Sequence, residues 1–151
     1  MFRNCLFSPI EGVLTDKGQP LVGLEVVRSC LTNGTLTGAE KRYSDSCTTD
    51  DEGRFRFGSL NAFYPWTWTP AQIHTDQLMY VDYRGRRYEL WKNRKGGHFM
   101  GDEIPIDGSP MPIQITCDLT DPDATKIFLY SRIDGICKIL NVQEVDPYAS
   151  S

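Results

Sequence analysis

Two histidines, five cysteines and one aromatic run are the side chains from which chemistry could be built in this chain of 151 residues. His74-Thr-Asp76 and the segment from His98 to Glu103 would supply metal ligands from two loops if those loops converged, since imidazole and carboxylate are ordinary donors to zinc and its neighbours. Two plain surface histidines require no convergence, and no metal or cofactor is expected. Asp50-Asp51-Glu52 lacks the alternating ligand spacing of an EF-type calcium loop and reads as an acidic turn. There is no Gly-x-Ser-x-Gly elbow, no cysteine beside a histidine in sequence, and no glycine-rich phosphate loop opening a helix. The chain is expected to bind rather than to catalyse.

Two segments offer binding surfaces. Phe63, Tyr64, Trp66 and Trp68 surround Pro65 and precede Pro70, and aromatic side chains both dominate protein interfaces and give flat apolar faces to sugars. The alternative is that Trp66 and Trp68 fold back as a lid over the open end of the core. The second segment is basic. Arg84, Arg86, Arg87, Lys92, Arg94 and Lys95 gather around a turn and the loop after it, a patch suited to an acidic partner. Its plainer role is a solvated hairpin whose charges keep an edge strand from aggregating.

The elements that must position these residues are strands. No capped amphipathic segment of helical period is present, whereas short β-rich runs punctuated by turn residues recur at the spacing of a sandwich. Ile10–Thr15 is a strand closed by Asp16-Lys-Gly-Gln-Pro20, and Leu24–Leu31 follows. Asn33–Gly38 is a turn, Arg42–Thr49 returns, and Thr49–Gly53 is a tight acidic turn. Arg54-Phe-Arg-Phe57 alternates cleanly, which points Phe55 and Phe57 inward and the arginines to water. Leu60–Pro70 breaks the rhythm. Gln77–Tyr83 and Arg87–Trp91 form a hairpin turned by Arg84-Gly-Arg86, Lys92–Pro110 is a long loop, Ile113–Cys117 is a strand, and Ile127–Leu140 holds one or two more. The expectation is one all-β domain over residues 1–151, an antiparallel sandwich of about seven to nine strands.

Cys30 and Cys47 lie near the ends of consecutive strands that should pair, and Cys117 and Cys137 both sit in apolar strand-like runs. Two disulfides, Cys30 with Cys47 and Cys117 with Cys137, are expected, with Cys5 left over. The alternative is five reduced thiols packed as small hydrophobes. Met1–Pro9 has no apolar core of a signal peptide, so the chain is either cytosolic or has lost a leader. Disulfides would favour the periplasm or envelope; their absence would favour the cytoplasm.

Gly12-Val-Leu-Thr-Asp-Lys-Gly-Gln-Pro-Leu-Val-Gly-Leu-Glu-Val26, with Thr48-Thr-Asp-Asp-Glu-Gly-Arg-Phe-Arg-Phe57, resembles the carboxypeptidase regulatory-like, transthyretin-like domains. In that pattern Gly18 and Pro20 shape the first turn, Gly23 lets backbones approach, and Gly53 closes the acidic turn. The resemblance implies a transthyretin-like sandwich. It does not carry over the hydroxyisourate hydrolases of that fold, because Tyr83-Arg84-Gly85-Arg86 lies mid-chain without the serine of their terminal motif, and neither histidine is in the N-terminal strand. Leu6–Val13, Lys41–Ser46, Tyr88–Trp91, Cys117–Leu119 and Asp134–Cys137 resemble a small bacterial family of unknown function on the same fold, in the company of envelope and secretion-associated proteins.

Composition removes several classes. Hydrophobic residues at 40% and charged residues at 24% argue against disorder, and a net charge of -4 gives no case for nucleic acid. No apolar run approaches the ~20 residues of a membrane helix. A non-catalytic domain that binds another protein is therefore expected, as an immunity or adaptor protein of an envelope or secretion system. A carbohydrate-binding module using the aromatic loop is the alternative.

Overall fold

β-Branched and aromatic residues alternating with polar ones between glycine-bearing turns make strands, and strands are what form. The computed structural model describes residues 2–33, 40–64, 74–95, 103, 111–127 and 132–141. Thirteen strands occur among them: β1 (Phe2–Phe7), β2 (Ile10–Asp16), β3 (Gln19–Pro20), β4 (Glu25–Thr32), β5 (Lys41–Thr48), β6 (Arg54–Phe57), β7 (Leu60–Tyr64), β8 (Thr75–Tyr83), β9 (Arg86–Lys95), β10 (Ile113–Asp118), β11 (Ala124–Ile127), β12 (Arg132–Gly135) and β13 (Lys138–Ile139). No helix among the described residues is long and apolar enough to cross a membrane.

A six-stranded antiparallel sheet runs in the order β11-β12-β9-β8-β4-β5. Facing it is a mixed sheet, β13-β10-β2, in which β3 and β6 both pair with the far edge of β2. A wholly antiparallel sandwich was the expectation, but β2 and β10 run parallel, from Ile10↔Ile113 to Thr15↔Asp118. A parallel neighbour requires a long crossover, and here the β4–β9 sheet supplies it.

The β2–β6 ladder ends at Ile10↔Phe57, and the β1–β7 ladder resumes in the same register at Phe7↔Leu60. Ser8-Pro9 and Gly58-Ser59 interrupt what would otherwise be one long pairing. Pro9 has no N–H to give to a ladder, so the break is written into the sequence. Leu6, Phe7, Ile10, Leu14, Phe55 and Phe57 then close over Val26, Met79, Val81, Leu90 and Trp91 of the larger sheet.

Several expectations need correction. Cys30 and Cys47 do not bond: Cys30 stands opposite Tyr43, and Cys47 opposite Val26. That offset of four residues is about 13 Å along a strand, beyond the roughly 7 Å a disulfide spans between Cα atoms. Cys5, Cys30 and Cys47 are free, while Cys117 and Cys137 are bonded at 2.00 Å and join β10 to the β12–β13 turn. β9 extends to Lys95, four residues into the stretch read as loop, and β1 and β7 form where no strand was expected. The close approach assigned to Gly23 belongs to Gly53, where an added Cβ would lie 2.5 Å from the Leu14 carbonyl oxygen; nothing crowds Gly23, whose need is its φ of 68°.

Asp118 holds the end of the parallel pair. Its carboxylate accepts hydrogen bonds from the Thr120 hydroxyl and amide, the Gly18 amide at 2.8 Å and the Thr15 hydroxyl at 2.8 Å. The Thr120 hydroxyl, then these other donors, hold the acid far below the usual aspartate range.

Two outcomes follow. Alkylation of the denatured, unreduced protein should label three cysteines, and two more only after reduction; five labelled at once would remove the Cys117–Cys137 bond. Because the Asp118 acid is depressed on folding, its stabilisation is complete above about pH 4 and is lost as pH falls below that. Melting temperature followed from neutral pH into acid should therefore fall less steeply in Asp118→Asn than in the wild type, and parallel curves would discount this carboxylate.

Candidate functional site

β8 and β9 meet in a two-residue turn, Arg84-Gly85, with φ of 51° and 77°. Positive φ at both positions is the type I′ geometry that matches strand twist. Arginines and tyrosines pair around it. The Arg84 guanidinium lies 5.0 Å from the Tyr83 ring centroid, Arg86 lies 4.9 Å from Tyr88, and Arg87 lies 3.9 Å from Tyr80. Tyr83 and Tyr88 in turn pack against the core.

The four hairpin arginines separate into two kinds. Arg87 forks onto Asp82 at 3.0 and 3.3 Å, and Arg94 onto Asp76 at 2.7 and 3.3 Å. These hydrogen bonds hold both aspartates below their usual range. The pairs are exposed, so each contributes little to stability. Arg84 and Arg86 make no ion pair among the described residues. Arg94 is eight residues beyond Arg86 on β9, about 26 Å away, and does not share the patch at the turn. Lys95, expected on the same surface, is buried.

The other predicted residues are not brought together. Phe63 and Tyr64 end β7, while Trp66, Trp68 and His98 lie outside the described residues. His74 meets Asn33 through its backbone, its amide donating to the Asn33 side-chain oxygen at 2.8 Å. Asp76 is engaged with Arg94, and Glu103 is buried. Among the described residues no three His, Cys, Asp or Glu side chains converge as a metal site.

Beneath the break in the β1–β2 segment lies a polar cluster that the sequence reading missed. Glu103 Oε1 accepts from the Ser8 amide at 2.8 Å and from Gln77 Nε2 at 2.9 Å, and Oε2 accepts from the Ser8 hydroxyl. Lys95 Nζ stands 3.4 Å from Oε1 and donates to the Cys5 carbonyl at 2.6 Å. Gln77 also donates to the Leu6 carbonyl and accepts from Trp91 Nε1, both at 2.9 Å. Nearby, Arg28 gives two hydrogen bonds to Asp45 and one to the Gly58 carbonyl at 2.7 Å, with its plane between Phe7 and Phe57. The signal was available for Arg28, since alternation puts it on the face of Val26. Burial pushes the Cys30 thiol up to about 12, which makes it inert.

An open groove of about 650 Å³ crosses β6, β2 and β10, lined in part by Glu11, Val13, Arg54, Arg56, Gln114 and Leu140. Leu140 is 62% exposed, and Gln114 donates to Glu11 at 3.0 Å. Charges of both signs with one exposed apolar side chain give it no distinct ligand chemistry.

Truncating Asp45→Ala leaves the Arg28 guanidinium buried with only the Gly58 carbonyl and two rings. Chemical denaturation should show a loss of about 2–3 kcal/mol. A change under about 0.5 kcal/mol, the scale of ordinary surface substitutions, would show that the pair is dispensable.

Comparison with known proteins returns one family. No curated protein and no solved structure matches the chain. The model of a domain of unknown function, DUF6795, matches residues 10–122, a span that runs from β2 through the hairpin to the residues before β11. Matching 113 of 151 residues, it shows that the chain belongs to the DUF6795 family.

Proposed function

We propose that the chain is a non-catalytic domain that binds another protein through the end of the β8–β9 hairpin. The observation that carries this is the state of Arg84 and Arg86, stacked on Tyr83 and Tyr88 and free of ion pairs among the described residues. Tyrosine and arginine are the residue types that concentrate binding energy at interfaces. Stacking restrains the guanidinium before contact, so less side-chain freedom is lost on binding. The narrow turn presents both arginines from a rigid base.

The finer fold reading, a transthyretin-like sandwich, belongs to the same proposal, supported by the Lys17-Gly18 turn and the Gly53 turn where the motif calls for them. The Cys117–Cys137 bond supports the envelope side of the localisation, because disulfides persist in oxidising compartments. A partner that proved to be a toxin would make the domain an immunity protein.

Affinity capture from the native organism's lysate, without reductant, tests this against the double variant Arg84→Glu/Arg86→Glu. The wild type should capture one stoichiometric protein, and the variant should hold it at least about tenfold more weakly with an unchanged melting temperature. Equal capture by both forms, or no captured protein, would overturn the reading.

A further inference from the structure

The ion pairs among the described residues are formed by arginine, with one exception: Lys95 with Glu103. A guanidinium is a poor nucleophile, whereas an amine is a good one. Lys95 Nζ and Glu103 Oε1 lie 3.4 Å apart, and both side chains are 0% exposed. Three donors converge on the carboxyl: the Ser8 amide, the Ser8 hydroxyl and Gln77 Nε2. The Cys5 carbonyl, accepting at 2.6 Å, orients the amine. An amine 3.4 Å from a carboxyl oxygen, with donors on both carboxyl oxygens and both side chains fully buried, is an arrangement from which acyl transfer can start. The geometry points to an intramolecular isopeptide bond between Lys95 and Glu103.

The reaction is a condensation and needs no co-reactant. One ammonium proton crosses to the carboxylate, leaving an amine lone pair and a carboxylic acid. Nζ attacks Cδ of Glu103, and the Ser8 and Gln77 donors hold the negative oxygen of the tetrahedral centre. A second proton moves from nitrogen to the hydroxyl, the C–O bond breaks, and one water leaves. The product is a secondary amide whose nitrogen keeps one hydrogen, with nothing oxidised or reduced. Two charges in a dry core become one neutral group, which removes their desolvation cost.

Intact mass of the reduced, denatured full chain tests this directly. It should fall about 18 Da, one water, below the mass of the sequence. Met100 lies between the two residues, so cyanogen bromide should leave fragments 80–100 and 101–111 joined. Lys95→Arg, which keeps the charge but not the nucleophile, should show the unlinked mass and separate fragments. Wild-type protein at the unlinked mass, or with separable fragments, overturns the bond. A loss of about 17 Da with Lys95 joined to Gln77, one ammonia, overturns the assignment to Glu103.

Discussion

The fold depends on satisfying the backbone where the β1–β7 and β2–β6 ladders part. Pro9 makes the interruption unavoidable, and at the break the buried Ser8 amide and the more exposed Gly58 carbonyl have no strand partner. Unpaired buried backbone groups cost about 1–3 kcal/mol each. The chain answers with charged side chains: Glu103 accepts from Ser8, and Arg28 donates to Gly58. Each charge then needs its own partner, which Lys95 and Asp45 provide. The Cys5 and Leu6 carbonyls are met the same way, by Lys95 and Gln77. One proline thus draws Ser8, Gln77, Lys95 and Glu103 into a single buried polar cluster.

The same two strands carry this cluster and the Arg84-Gly85 turn, at opposite ends. Along one face of β8 and β9, Gln77, Asn93 and Lys95 serve the break, Met79, Val81 and Trp91 fill the core, and Tyr83 and Tyr88 lie at its margin. Arg84 and Arg86 come last, above those rings. A hairpin fixed by hydrogen bonds at its base and by apolar packing at its middle holds its tip still. Two stacked arginines on such a tip form a preorganised contact; on a frayed loop they would not.

The sequence made the local periodicities legible and left the long-range pairings hidden. Arg54-Phe-Arg-Phe57 alternates strictly, and Phe55 and Phe57 are buried with the arginines outside. The β8–β9 hairpin was readable from its turn residues. The Cys30–Cys47 pairing failed although those strands do pair, because register, which turn residues alone do not specify, sets which residues face each other. The parallel β2–β10 ladder joins segments about a hundred residues apart, beyond any local signal. β1 escaped because Phe2–Phe7 neither alternates nor is bounded by a turn on both sides. Lys95 was read as part of the exposed basic patch and Glu103 as the end of a loop that could offer a ligand, because such residues rarely lie in a core.

Arginine shows why composition could not locate the candidate site. Arg28 is a core residue, its guanidinium near two phenylalanine rings and held by three hydrogen bonds. Arg87 and Arg94 are exposed, but their charges are already met by Asp82 and Asp76. Arg84 and Arg86 are exposed, lie over tyrosine rings and make no ion pair among the described residues. Within one sequence cluster the charges looked equivalent, and their neighbours made them different. The groove over β2 and β6 has arginines too, yet Arg54 is paired with Glu52, and Arg56 stands opposite Glu11 across the ladder. A carboxylate arriving there would compete with one already in place, whereas at the hairpin tip none among the described residues pairs with Arg84 or Arg86.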